Sequence, residues 1–175
     1  MMTKDVIAAI LERRSVRKFK GDQVPRATVG KIIDAARWAP SAGNLQPWQF
    51  YVVYNEQKRH ELAVAALNQK FINEAPVVIV VCIQPEMSGA RYRERGRNLY
   101  AIQDSAAAVQ NILLAAHGYG LATCWVGSFE ETSVIEVLKL PQGVLPVALI
   151  PIGFAAEENQ PPARRPVEEI VQVIE

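Results

Sequence analysis

Residues 99–117, LYAIQDSAAAVQNILLAAH, constrain the fold more than any other stretch. Leu99, Ile102, Ala106, Val109, Leu113 and Ala116 trace one stripe at helical spacing, and Ala107, Ala108, Ile112, Leu114 and Ala115 leave little polar surface elsewhere. A helix apolar nearly all round has to be buried, in a core or against a partner. Gly118 and Gly120 supply its stop. The rest of the chain, or a partner, must therefore cover this helix. With 175 residues it can bury roughly 70% of its unfolded-state surface. The longest apolar run, residues 76–83, is too short to cross a bilayer as a helix. Within it, residues 77–83 read as a central strand covered on both faces.

The remaining elements follow from periodicity and punctuation. Thr3 can cap a first helix with Val6, Ile7, Ile10 and Leu11 on one face. Thr28 opens a second, with Val29, Ile32, Ile33, Ala36 and Trp38 inward, stopping before Pro40. A loop at 41–44, closed by Pro47, leads to a strand at 49–54 and a helix at 56–69. Further strands are predicted at 122–126 and 147–154, with a helix at 130–140 between them. Residues 157–166, rich in proline, read as an extended arm, followed by a short helix at 167–173. There is no repeat and no linker, so residues 1–175 form a single domain with an arm at about 157–175. Regular strand–helix alternation is missing, which makes the class α+β.

Composition removes several functions. Lys and Arg number 19 against 18 Asp and Glu, a net charge of +1, so no polybasic nucleic-acid surface is expected. Cys82 and Cys124 form neither a disulfide framework nor a CxxC zinc motif, and two histidines cannot build a histidine-rich metal site. The start, with Lys4 and Asp5, has no apolar leader, so a cytoplasmic protein without membrane association is expected. A GxxxxGK[ST] loop and a GxSxG elbow are both absent. Any hard chemistry would then belong to a cofactor.

Three stretches stand out. In Arg13-Arg14-Ser15-Val16-Arg17, alternate residues of an extended segment point one way, so Arg13, Ser15 and Arg17 can converge on a phosphate or a polar ring edge. The same arginines could equally answer the dipole at a helix end. Residues 39–48, APSAGNLQPW, form a rigid small-residue loop offering backbone amides with Ser41, Asn44 and Gln46, a surface for a flat heteroaromatic ring or an ordinary turn. Arg164 and Arg165 lie beyond the proline-rich arm.

Taken in order, RRSVRKF, PSAGNLQPWQF, APVVIVVC, the alanine-rich helix, GLATCWVGSF, PIGF and the terminal RRP resemble the FMN-dependent nitroreductase family across nearly the whole chain. The resemblance implies an intertwined α+β homodimer with a mixed, mostly antiparallel sheet surrounded by helices. It also implies two FMN molecules in the interface and a C-terminal arm reaching over the partner. Arg13 would meet the FMN phosphate or ribityl end, with Arg14 and Ser15 lining that end and Arg165 and Arg164 closing on the phosphate. Arg17 would approach the pyrimidine edge, where charge builds on reduction. Pro40, Ser41, Ala42 and Asn44 would come from the other subunit, and Asn68 would reach the pyrimidine edge. Trp125, Val126, Gly127 and Ser128 would pass beside the dimethylbenzene side and N5. This chain carries Gly127-Ser128 where many members have Glu-Gly, and it is shorter than many.

Such a protein takes hydride from NADH or NADPH and passes it to a small acceptor such as a nitroaromatic or quinone, in a ping-pong cycle. It needs positioning and exclusion of water rather than a catalytic acid or base, so no catalytic residue is named. The basic stretch Arg91, Arg93, Arg95, Arg97 fits a rim selecting an anionic substrate or the NADPH phosphate, and equally a solvated helix entry. Alternatives are a relative that removes halide or fragments flavin, a non-catalytic flavin-binding protein, and a basic protein-interaction module without cofactor.

Overall fold

The computed structural model describes residues 5–175, so the predicted Thr3 cap lies outside the described residues. Among the described residues, seven α-helices and four strands alternate irregularly: α1 (Val6–Glu12), α2 (Arg26–Ala36), β1 (Trp48–Val53), α3 (Glu56–Ala65), α4 (Phe71–Glu74), β2 (Val77–Ile83), α5 (Pro85–Arg95), α6 (Ala101–Gly118), β3 (Ala122–Thr123), α7 (Glu131–Leu138) and β4 (Leu145–Gly153). The strands lie in the order β1-β2-β4-β3, and every pair among them is antiparallel. The parallel component expected of a mixed sheet is a single bridge, Ser15 to Thr123.

β2 explains the architecture. All seven of its residues are buried. Val77, Ile79 and Val81 pack with Val29 and Ile32 of α2 and Val109, Ile112 and Ala116 of α6. Val78, Val80 and Cys82 point the other way, into Leu62 and Ala63 of α3, Ile72 of α4 and Val134 of α7. The period-two geometry of a strand divides one apolar run between two cores, giving helix, sheet and helix layers. α6 ends as expected. Gly120 takes φ +75 and Leu121 N–H donates to the Ala116 carbonyl at 2.9 Å, satisfying the last turn.

Several boundaries move. α2 starts at Arg26 behind Pro25 and ends at Ala36, so Trp38 lies outside the helix and is 73% exposed. α3 stops at Ala65 rather than 69 because Leu67 and Asn68 both take left-handed backbone, φ 58 and 59. The strand predicted at 122–126 keeps only two residues, and Val126 reaches the sheet as an isolated bridge to Leu149. The terminal helix shrinks to the turn Val167–Glu169. α5 was not predicted. It runs into a wide turn, Gly96–Tyr100, where a side chain at Gly96 would collide with the Ser88 carbonyl oxygen.

Candidate functional site

Beyond α1 the chain runs extended along the sheet edge. Val16 N–H donates to Thr123 O, Lys20 N–H to Phe154 O and Ala156 N–H to Lys18 O, each at 2.9 Å. Val16 and Phe19 turn inward with Ala75, while Ser15 and Arg17 face solvent. Arg13, Arg14, Ser15 and Arg17 thus line one cavity of about 460 Å³, and the far wall is the arm, with Asn159 and Arg164. An adjoining cavity of about 660 Å³ shares Arg13, Arg14, Glu157 and Asn159. Asn159, passed over in the sequence, ties arm to segment: its Nδ2 donates to Ser15 O at 3.1 Å.

Electrostatics single out Arg13. Burial, then repulsion from Arg14 and Arg164, hold its guanidinium below the usual arginine range, and Cys124 opposes this weakly. The carboxylate in the same cavity, Glu157, lies 3.7 Å from Lys18 Nζ. Cations gathered this way repel one another, and an anion between them relieves the repulsion. The donor set fits a phosphate.

The other arginines have different work. Arg14 folds back on α1, its Nη1 donating to Leu11 O at 2.7 Å and Arg13 O at 2.9 Å, which satisfies carbonyls at the helix end. Its Nε is buried with no partner. Arg17 Cζ stands 5.9 Å from the Phe71 ring centroid, a cation–π contact. Arg165 is not in the cluster; its Nε lies 3.3 Å from Glu169 Oε2.

The loop after α2 holds itself together. Ser41 Oγ accepts from Gln46 N–H at 3.0 Å, and Gly43 and Asn44 take φ 59 and 57. Pro40 is exposed. Ala42 N–H donates to Asp104 Oδ1 at 3.1 Å. Asp104, on α6, is only 8% exposed, and its second oxygen is buried without a partner. Burial pushes its carboxyl above the usual range, partly offset by the Ala42 hydrogen bond. Sequence reasoning missed it, although a carboxylate inside an alanine stripe was a signal.

In the stretch 124–128, Val126 is buried and spends its N–H and C=O on Leu149 at 3.0 and 2.9 Å. Trp125, Gly127 and Ser128 remain exposed. Gln69, also passed over, fixes Ser128 by donating to its carbonyl at 3.1 Å. Asn68 is exposed beside His60 and Lys70 in a separate depression, so within this chain it does not join the arginines. Both cysteines are buried, and burial disfavours their thiolates: it pushes the Cys82 thiol up to about 12 and raises Cys124 too, against the opposing charges of Arg17 and Arg13. Among the described residues no helix is long and apolar enough to cross a membrane, and no acid, histidine or cysteine cluster could hold a metal.

Comparison with known proteins gives this geometry its context. The model of the Nitroreductase family matches residues 10–69 and 63–154. An NADH dehydrogenase of Thermus thermophilus is 32% identical over 194 aligned positions, covering 95% of each chain. A nitroreductase family protein of Streptococcus pneumoniae superposes with a TM-score of 0.90 at 26% identity, over 97% of this chain and all of the other. An NADPH:FMN oxidoreductase of Vibrio harveyi, solved with NAD+, superposes with a TM-score of 0.89 at 27% identity, over 98% of this chain and 78% of that one. With its central strand, arginine segment and loop order all in place, the chain belongs to the nitroreductase family.

Proposed function

We propose that the chain is an NAD(P)H-dependent FMN oxidoreductase, working in the cytoplasm as a homodimer on a small acceptor such as a nitroaromatic or quinone. FMN, when bound, would supply two-electron hydride chemistry between NADH or NADPH and the acceptor, and a ping-pong cycle is the order we infer. The observation that carries this reading is the cation cluster around the 460 Å³ cavity, where burial and then the charges of Arg14 and Arg164 disfavour a lone Arg13 cation. Arg13 and Arg164 hold the phosphate end, and Ser15 and the Arg14 backbone line it. Arg17, kept on Phe71, turns its charge to the pyrimidine edge. Trp125, Gly127 and Ser128 flank the ring, with Val126 positioning them through its bonds to Leu149.

The dimer is supported by what this chain leaves uncovered. Val6, Ile7, Ile10 and Leu11 of α1 are exposed, beside a groove of about 480 Å³ lined by Trp38, Leu114 and Tyr119. The arm exposes Val167, Ile170, Val171, Val173 and Ile174. Apolar surface of this extent marks an association face. Residues 1–175 act as one unit, with the arm at 157–175 crossing to the second copy. The second copy supplies the ring-facing loop, Pro40, Ser41, Ala42 and Asn44 of the partner subunit. In the dimer, Asn68 and Arg165 would complete the site, Arg165 leaving its ion pair with Glu169 to do so.

The test is Arg13→Ala. FMN affinity, read by quenching of flavin fluorescence, should fall roughly 10- to 100-fold, the scale of a charge-assisted hydrogen bond. Far-UV circular dichroism should not change. Unchanged affinity overturns the phosphate assignment. With wild-type protein, anaerobic NADH or NADPH should bleach the flavin absorption band; a band that persists favours a binding protein instead.

A further inference from the structure

The four arginines of the basic stretch differ in what they have left to offer. Arg97 is spent on Glu86, with Nε at 2.6 Å and Nη2 at 2.8 Å from its two carboxylate oxygens. Arg95 donates through Nε to the Tyr100 hydroxyl at 3.0 Å and lies 5.5 Å from that ring's centroid. Arg93 is exposed at a break in α5, with φ 53 and ψ −139. Arg91 is exposed and makes no ion pair with any described residue, Asp104 included.

Arg91 is nonetheless placed. Its Cζ stands 5.4 Å from the Tyr92 ring centroid, a contact that limits its swing. Its tip rests on the turn Ala42–Asn44: a methyl added to Gly43 would lie 2.8 Å from Arg91 Nη1 and 2.7 Å from the Tyr92 hydroxyl. Glycine at position 43 is what lets the guanidinium approach. Ala42 and Asn44, on either side, belong to the loop proposed above to face the flavin. An uncompensated, held guanidinium therefore travels with that loop to the rim of the hydride-transfer site proposed for the other subunit.

We propose that Arg91 reads the 2′-phosphate of NADPH and so selects NADPH over NADH. This rests on the oxidoreductase reading and deepens it. The two nucleotides differ by one phosphate monoester, a dianion near neutral pH. The planar guanidinium fork binds such a group through two parallel hydrogen bonds, which a point charge cannot match. Arg97 is neutralised by Glu86 and Arg95 is turned through Nε onto Tyr100, whereas Arg91 alone of the four rests on the loop, so the discrimination falls to Arg91, with Arg93 adding positive potential nearby. The neighbouring Tyr92 hydroxyl offers one further hydrogen bond to the phosphate.

The experiment compares wild type, Arg91→Ala, Arg91→Lys and, as a control, Arg95→Ala, all loaded with FMN. Two readouts are taken: kcat and KM with each nucleotide, and calorimetric binding of 2′,5′-ADP against 5′-AMP. Wild type should prefer NADPH. Arg91→Ala should cut that preference about tenfold or more, through KM rather than kcat, and weaken 2′,5′-ADP by a similar factor while sparing 5′-AMP. Arg91→Lys should fall between, and Arg95→Ala should keep the wild-type preference. Equal losses with both nucleotides overturn the proposal, because they would place Arg91 on the shared pyrophosphate or in support of the loop. A wild type that prefers NADH, or an unchanged preference in Arg91→Ala, overturns it too. If NADH reduces the flavin and the preference does not respond to Arg91, only this inference fails. If neither nucleotide reduces it, the oxidoreductase reading fails with it.

Discussion

β2 and α1 are built from the same kinds of residue and meet opposite fates. Every residue of β2 is buried, with Val78, Ile79, Val80 and Val81 sealed from solvent. In α1 only Ala9 is buried, while Val6, Ile7, Ile10 and Leu11 stand in the open, as do Val167, Ile170 and Ile174 of the arm. Hydrophobic burial is non-directional and scales with area, so nothing in either segment states which chain will cover it. An apolar pattern announces that a face needs covering. It does not say whose atoms will do so.

The contrast can be broken by mutation. The largest effect is expected in the sheet. Ile79→Ala removes a fully buried side chain between α2 and α6 and should cost about 2–5 kcal/mol in urea-induced unfolding. A loss below 1 kcal/mol would mean that β2 does not hold the two cores together. The α1 face should respond through association. In wild type the unfolding midpoint should rise with protein concentration, as it does whenever a partner binds only the folded state. In an Ile7→Asp, Ile10→Asp double variant that dependence should disappear, and sedimentation should show a smaller species. A concentration-independent midpoint in both proteins would erase the distinction between the two regions.

The smallest effect sharpens the comparison from within α6. The Asp104 carboxyl is raised by burial, so the folded state holds its proton more tightly than the unfolded chain does. Its contribution to stability is greatest at low pH and is lost as pH rises through the carboxylate range toward the raised value. Asp104→Asn does not titrate, so its thermal midpoint should gain on wild type over that window. Midpoints that run parallel from acid to neutral pH would show that the carboxylate is better solvated than its burial indicates.

How much was legible follows the same physics. β2 could be read to the residue, because both of its faces are apolar and the run is bounded by Pro76 and Gln84. α6 was legible from its alanine stripe. α5 was not, since PEMSGARYRER has no apolar period. What holds it is tertiary: Gly96 against the Ser88 carbonyl, and Arg97 on Glu86. Trp38 misled because aromatic spacing matched α2, while the backbone had already left the helix at Ala36. For the site, residue type and order exposed the arginine segment. Asp104 and Asn159 stayed hidden because each matters through a neighbour far along the chain, Ala42 and Ser15. Arg165 shows the reverse situation: a neighbour of Arg164 in sequence, it is engaged with Glu169 in space.

The bridge between Ser15 and Thr123 also bears on when the protein can begin to work. Segment 13–20 is made early, yet its supports are Thr123, Phe154, Ala156 and Asn159, the last of them 144 positions beyond Ser15. Contacts of such separation carry the largest loop-closure entropy and form late. On the ribosome, α1 and the arginines emerge first and wait through the synthesis of α6, β4 and the start of the arm. The proposed anion site thus depends on the last contacts the chain can make: a chain truncated before Phe154 lacks the wall on which its own first arginines lie.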